Sequence, residues 1–460
     1  MIRQKSCLAL LIASVALAGL ATCTHDSRRP LEERLQAALD NCLRRSSAKG
    51  ASVAVILPDE TIWRGVSGIS HDTVKIQPEM SFAIGSITKN MVAALALQLA
   101  EEGKLSLDDP IGRWLPPYPH VESTISIRQM LNHTSGIFMF WDNQQLWDDL
   151  IRYRTKTFTP EEVLGYLREP HFPPGRGYHY SNTNYLLTAM IITRATGSTL
   201  SAELRRRFWE PLELRSACLA IEEPYPENMA HVWSQNFEKD GTYRDVTFLP
   251  RTSHDTITYG SAGVFMTAED LARWTHGLFH CRVISKGSLA QMQTFTEEGS
   301  YGLGLGRLGW RIAGRVRAVG HGGGNIGTTA YMVYLPDHDV SIAVMVNHFG
   351  GNCASRIVRE TARITALSLK PESVWIALWS VEGLLSGLWL LAGLGAVIFA
   401  IRKNRPSVLI VFGGLAIGAG WMSTRGSLPL QDVLFPEGAA ILSLALAMCL
   451  RRLALRVSKH

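Results

Sequence analysis

The chain contains no C-x-x-C pair, no G-x-S-x-G and no H-E-x-x-H. Without the first, its seven cysteines form no recognisable framework. Cys42, Cys218, Cys281 and Cys353 fall in the main body, either as disulfide partners or as buried thiols, and spacing alone does not choose between these. The second absence argues against the strained nucleophile elbow of α/β-hydrolases. The third argues against a zinc-protease centre, although His276 and His280 share a helical face. Internal repeats and low-complexity linkers are also missing. So is an excess of one charge in the body: residues 402–460 hold eight Lys/Arg against Asp432 and Glu437, which accounts for the whole net charge of +6. A neutral body carries no electrostatic footprint for nucleic acid.

What is present begins with hydrophobicity. At 46% apolar residues the 460-residue chain can bury a large core. Arg3 and Lys5 precede an apolar run from Cys7 to Ala21, the pattern of an export signal spanning residues 1–23. Gly19-Leu20-Ala21 offers a cleavage site. Leu20-Ala21-Thr22-Cys23 resembles a lipobox with an unusual Thr, so lipidation at Cys23 and retention as an uncleaved anchor stay open.

Periodicity predicts a helix over 31–45 and a hairpin from Ser52–Leu57 and Thr61–Val66. Helix signals follow from Ser86 to about Glu102 and near 126–132, 160–167 and 184–196. Strands are predicted at Trp310–Val319, Thr328–Tyr334 and Val340–Val346, with a closing helix near 354–367. Early strands, a helical middle and late strands imply one sheet assembled from both ends of a domain covering 31–368. Beyond Pro371 the composition changes. Val374–Ile401 has one charged residue, Glu382, and is long enough to cross a bilayer; 407–422 and 433–450 are shorter apolar runs. Arg402, Lys403 and Arg405 follow the first run, and the basic tail 451–460 follows the third. The positive-inside rule then puts both clusters in the cytoplasm and the 31–368 domain on the periplasmic or extracellular side.

Three short motifs carry the chemistry. Ser86-Ile87-Thr88-Lys89 places an amine one helical turn from a hydroxyl, where a lowered pKa makes the Lys a base. Ser46-Ser47-Ala48-Lys49 has the same spacing, but it sits at the end of a surface helix among polar neighbours. Ser86 instead opens the most strongly helical stretch in the chain. Tyr180-Ser181-Asn182 follows the rigid run Pro173–Gly177. A Tyr near an ammonium can titrate low and shuttle protons, and Asn182 can bind a substrate carbonyl or the Lys. Gly320-His321-Gly322-Gly323-Gly324, read as lying between strands, lets a ligand approach the backbone closely. Gly304-x-Gly306-x-x-Gly309 matches a dinucleotide fingerprint, but strand-like residues follow it.

In this order Ser86-x-x-Lys89, Tyr180-x-Asn182 and His321-Gly322-Gly323 resemble the motifs of class C β-lactamases, D-Ala-D-Ala carboxypeptidases and β-lactamase-fold esterases. Leu131–Gly136, Leu105–Pro110 and Thr267–Leu271 resemble supporting stretches of the same family. The resemblance implies an α/β (α+β) sandwich of β-lactamase/transpeptidase type with an all-helical lobe, here followed by C-terminal transmembrane helices. It implies acyl-enzyme chemistry on Ser86 with neither metal nor cofactor. Lys89 and Tyr180 would move protons, and Asn182, His321, Gly322 and Gly323 would bind substrate. The amides of Ser86 and Gly324 would hold the oxyanion. His321 stands where dedicated β-lactamases carry Lys, which turns the expectation from β-lactams toward ester, amide or D-amino-acid peptide substrates. The expected partners are therefore a small-molecule or peptide substrate and a membrane. The alternatives are a D-Ala-D-Ala carboxypeptidase or class C-type β-lactamase and, from another class, an acylation-driven membrane sensor.

Overall fold

The computed structural model describes residues 29–234, 243–309 and 316–369. Seven antiparallel strands form the main sheet. In chain order they are β1 (Gly50–Ile56), β2 (Ile62–His71), β3 (Val74–Lys75), β4 (Gly306–Leu308), β5 (Ala318–Asn325), β6 (Thr328–Leu335) and β7 (Val340–Val346). Their spatial order is β3-β2-β1-β7-β6-β5-β4, so the first and last strands meet in the middle. The β1–β7 register pairs Ala51 with Val346 and Ile56 with Ser341. One sheet built from both ends of the domain is what the sequence predicts, and Val340–Val346 is reproduced residue for residue.

Both central strands are buried on both faces, and period-2 alternation sorts their side chains into two cores. Val53 and Val55 join Ile342 and Val344 under helices α1 (Leu31–Arg44) and α5 (Cys353–Leu369). Ala54, Ile56, Ala343 and Met345 face the larger core on the other side. That core holds α2 (Thr88–Glu101), α3 (Asn182–Thr196), α4 (Ala268–Phe279) and the short helices of the middle segment. Helix α2 is buried almost all round, as a helix at the centre of a domain must be.

The glycine run departs from expectation. It lies within β5, not between strands: His321 pairs with Met332 and Gly323 with Ala330. A Cβ on Gly323 would stand 1.9 Å from the Ile84 carbonyl oxygen. The stability lost to glycines in a strand is thus exchanged for close backbone contact with the segment leading to Ser86. Gly304 is explained the same way. It adopts φ +65° and an added Cβ would meet Ala93 and the Lys89 carbonyl oxygen at 2.8 Å, so its match to a dinucleotide fingerprint reflects packing on α2.

Cys42, Cys218, Cys281 and Cys353 are free thiols, and all but Cys281 are buried. Among the described residues no helix is long and apolar enough to cross a membrane. The export signal and the runs at 374–401, 407–422 and 433–450 lie outside the described residues.

Candidate active site

Ser86 sits where a short strand becomes a helix. Phe82–Ala83 pairs with Val264–Met266, and the Ile84 N–H donates to the Val264 carbonyl at 2.9 Å. Gly85 then turns at φ +54°, a conformation that costs glycine little, and a 3₁₀ turn over Gly85–Ile87 runs straight into α2. A Cβ at Gly85 would lie 2.6 Å from the Gly324 nitrogen, and one at Gly323 would lie 3.0 Å from the Ser86 nitrogen. The Ser86 turn and β5 therefore touch backbone to backbone, which brings the two expected oxyanion amides to one patch.

Lys89 lies one turn further along. Its Nζ donates to Ser86 Oγ at 2.9 Å and to the Ser261 carbonyl at 2.8 Å. Lys89 is fully buried while Ser86 is partly exposed, so the base is dry and the hydroxyl accessible. Burial drives the amine well below the ordinary lysine range. The amine also lies 5.0 Å from the Tyr180 ring centre and 5.7 Å from that of Tyr185.

Tyr180 precedes α3, and its hydroxyl interacts with Ser86. The depressed phenol expected beside an ammonium is not what the site produces. Burial raises the Tyr180 pKa, the neighbouring Tyr178 adds to the rise, and the Ser86 contact only partly offsets it. Asn182 opens α3 nearby. It makes no hydrogen bond to Lys89, whose amine is already occupied. Its Oδ1 is buried with no hydrogen-bond partner among the described residues, which leaves it available to a ligand.

His321 is buried on β5. Its Nδ1 bonds to the Gly322 carbonyl at 2.6 Å and its Nε2 to the Tyr301 hydroxyl at 2.7 Å. A carbonyl only accepts, so Nδ1 carries the proton and Nε2 accepts from Tyr301. Burial and nearby Lys89 push this imidazole down to about 4. His321 is thus a neutral acceptor, and it supplies no fixed positive charge.

Three contributors escaped the sequence reading. His133 is wholly buried, and its Nδ1 receives the Ser181 N–H and the Asn184 amide, each at 3.1 Å. Its ring centre lies 4.3 Å from that of Tyr180. It therefore positions the Tyr180 segment, and the stretch Leu131–Gly136 was the available signal. Tyr301 and the Ser261 carbonyl gave none, because one has no motif and the other acts through its backbone. Lys89, His133 and His321 form no ion pair with a carboxylate among the described residues. Stripped of water and counter-charge, all three bases are held below their ordinary pKa ranges. Arg356 does not join it: its charge acts on Cys42 and Cys353, beside the smaller core.

A hydroxyl bonded to a buried amine, a phenol at the same oxygen and two backbone amides in one patch match the architecture of a serine hydrolase. The comparisons agree and are narrower. Residues 35–366 match the Beta-lactamase family model, and the chain belongs to that family. It is 26% identical over 345 residues to a D-aminopeptidase of Brucella anthropi, covering 72% of this chain and 63% of the relative. It is 28% identical to esterase EstB of Burkholderia gladioli, covering 53% and 69%. With PbpX, a penicillin-binding protein homologue of Bacillus subtilis, identity is 27%, covering 50% and 55%. The chain thus spans a little over half to two thirds of the length of these curated relatives. Among solved structures, a D-stereospecific amidohydrolase from Streptomyces superposes at TM-score 0.63 with 27% identity, covering 70% of this chain and 96% of that one. A D-amino acid amidase from Ochrobactrum anthropi gives 0.64 and 25%, covering 74% and 99%.

Proposed function

We propose that the protein is a serine hydrolase that forms an acyl-enzyme on Ser86 and cleaves an ester, amide or D-amino-acid peptide bond. The observation carrying this reading is the buried Lys89 amine held 2.9 Å from Ser86 Oγ. In its neutral form that amine has a lone pair with which to take the hydroxyl proton. Ser86 Oγ then attacks the carbonyl carbon, and the Ser86 and Gly324 amides receive the oxyanion. The bond to the leaving nitrogen or oxygen breaks as Tyr180 passes it a proton, which the Lys89 ammonium replaces. Water attacks the ester carbonyl with the same groups acting in reverse, returning Ser86 and the acid.

His321 shapes the substrate range. A neutral imidazole turned onto Tyr301 gives no permanent partner for a substrate carboxylate. Neutral esters and amides are therefore favoured over β-lactams and carboxylate-ended peptides, and Asn182 Oδ1 is free to orient them. We place the domain on the outer side of a membrane, held by the runs at 374–401, 407–422 and 433–450. Support comes from their length and the basic residues after the first and third.

The test is to incubate the protein with labelled penicillin, a fluorophosphonate, p-nitrophenyl esters and D-amino-acid amides, and to map the adduct. We expect labelling at Ser86 with ester or amide turnover and little penicillin hydrolysis. Adducts that persist in Ser86→Ala would overturn the reading. Reporter fusions at residue 370 check the topology separately, and a cytoplasmic signal there would reverse it.

A further inference from the structure

Next to the site, but outside its chemistry, three potential ligands converge. Asp142 Oδ2 lies 3.9 Å from His171 Nε2, too far for a hydrogen bond. The His171 and His179 rings stack with centres 3.6 Å apart. One ligand atom from each of Asp142, His171 and His179 falls within 4.8 Å of the others. Neither imidazole makes a side-chain hydrogen bond to any described residue, and His179 Nδ1 is buried without a partner. Two stacked imidazoles beside an exposed carboxylate, all with ligand atoms to spare, are a poor structural contact and a good cation cradle. A tetrahedral zinc with bonds near 2.1 Å separates its ligands by roughly 3.4 Å, so small side-chain rotations close the set.

The backbone holds these groups in place. The His171 N–H donates to the Gly136 carbonyl and the His179 N–H to the His133 carbonyl, so both ends of the Pro173–Gly177 loop are fastened to one segment. Asp142 ends the 3₁₀ turn Phe140–Asp142, and the Phe140 N–H donates to Thr183 Oγ1 at the start of α3. All three ligands thus hang on the elements that carry Tyr180 and Asn182. His179 is the residue immediately before Tyr180.

We propose that Asp142, His171 and His179 form a zinc-class divalent metal site that clamps the Tyr180 loop to the Phe140–Asp142 turn. Two imidazoles and one carboxylate suit Zn²⁺ and its neighbours Co²⁺ and Ni²⁺ rather than Mg²⁺ or Ca²⁺. The metal takes no part in acyl transfer; it fixes the loop and leaves a coordination position to water.

The test uses untagged full-length protein, stripped with a chelator and titrated with Co²⁺. We expect a saturable visible absorption band that Zn²⁺ displaces, together with a Zn²⁺-dependent rise in Tm. Both are lost in His171→Asn/His179→Asn, and the band weakens in Asp142→Asn. Both survive in His276→Asn/His280→Asn, whose tilted pair of neighbouring rings serves as the control. Fluorophosphonate labelling of Ser86 reports whether each variant is folded, and single His171→Asn replaces the double variant if that one is not. No saturable band, or a band that persists without His171, overturns the proposal. If Ser86 fails to label while the band is intact, the hydrolase reading falls and the metal site stands.

Discussion

Two segments share the spacing Ser-x-x-Lys, and only one of them builds a site. At Ser86 the chain turns directly into α2, so Lys89 lies one turn on and its amine reaches the Ser86 oxygen at 2.9 Å. At Ser46 helix α1 has already ended. Ser46 Oγ donates back to the Leu43 carbonyl at 2.8 Å, and Lys49 projects toward the rings of Trp233 and Tyr243 at 5.3 and 5.7 Å. One lysine is sealed from water while the other is only partly covered. Three residues of spacing bring an amine onto a hydroxyl only when the backbone between them is helical. The amine becomes a base only when burial removes its proton.

The largest contrast is expected from removing each hydroxyl. Ser86→Ala lowers kcat for p-nitrophenyl esters by at least ~10⁴-fold. Ser46→Ala leaves it within about twofold and costs under ~1 kcal/mol in a denaturant melt, the worth of one exposed-side hydrogen bond.

The lysines come next. Lys89→Met lowers kcat by about 10³-fold yet raises stability by roughly 1–2 kcal/mol, because a buried amine is exchanged for an apolar chain. The sign follows from linkage. The folded Lys89 pKa is depressed, so between it and the unfolded value the unfolded chain binds the extra proton and stability rises with pH. Lys89→Met removes that rise, whereas Lys49→Met keeps both kcat and the slope. A Lys89→Met variant that melts earlier than the parent would contradict the desolvated-amine account.

Tyr180→Phe sharpens the division of labour within the site, with an expected loss of about 10²–10³-fold in kcat. Labelling of Ser86 by a fluorophosphonate should slow far less, since its fluoride leaving group needs little help from an acid.

The smallest effect is an acid limb of stability. His321 titrates near 4 when folded and near the ordinary 6.5 when unfolded. Its contribution is complete above pH 6.5 and is lost as pH falls toward 4, amounting to about 3 kcal/mol. His321→Gln keeps an acceptor for Tyr301 and flattens that limb in pH-dependent melts. An unchanged limb would mean that folding does not lower the His321 pKa.

Much of this arrangement was legible in the residues themselves. Strand-like apolar runs marked the segments that became β1, β6 and β7, and Ser86, Lys89, Tyr180, Asn182 and the glycine run stood out by type and spacing. Less legible was what those groups do to one another. The glycines lie inside a strand because β5 must press on the Ser86 turn, a contact between residues more than two hundred positions apart. The Tyr180 pKa rises because burial outweighs its contact with Ser86. His133, within Leu131–Gly136, and Tyr301, in no motif at all, set the postures of Tyr180 and His321.

The sequence by itself determined the class of chemistry, the candidate nucleophile and base, and a sheet closed from both ends of the domain, because periodicity and motif spacing are local properties. Only the tertiary structure decided which of two identical spacings brings an amine onto a hydroxyl, and which way burial shifts the pKa of each group around it. It also brought Asp142, His171 and His179 to one place. Burial and convergence are properties of the packed chain, and neither exists until distant segments meet.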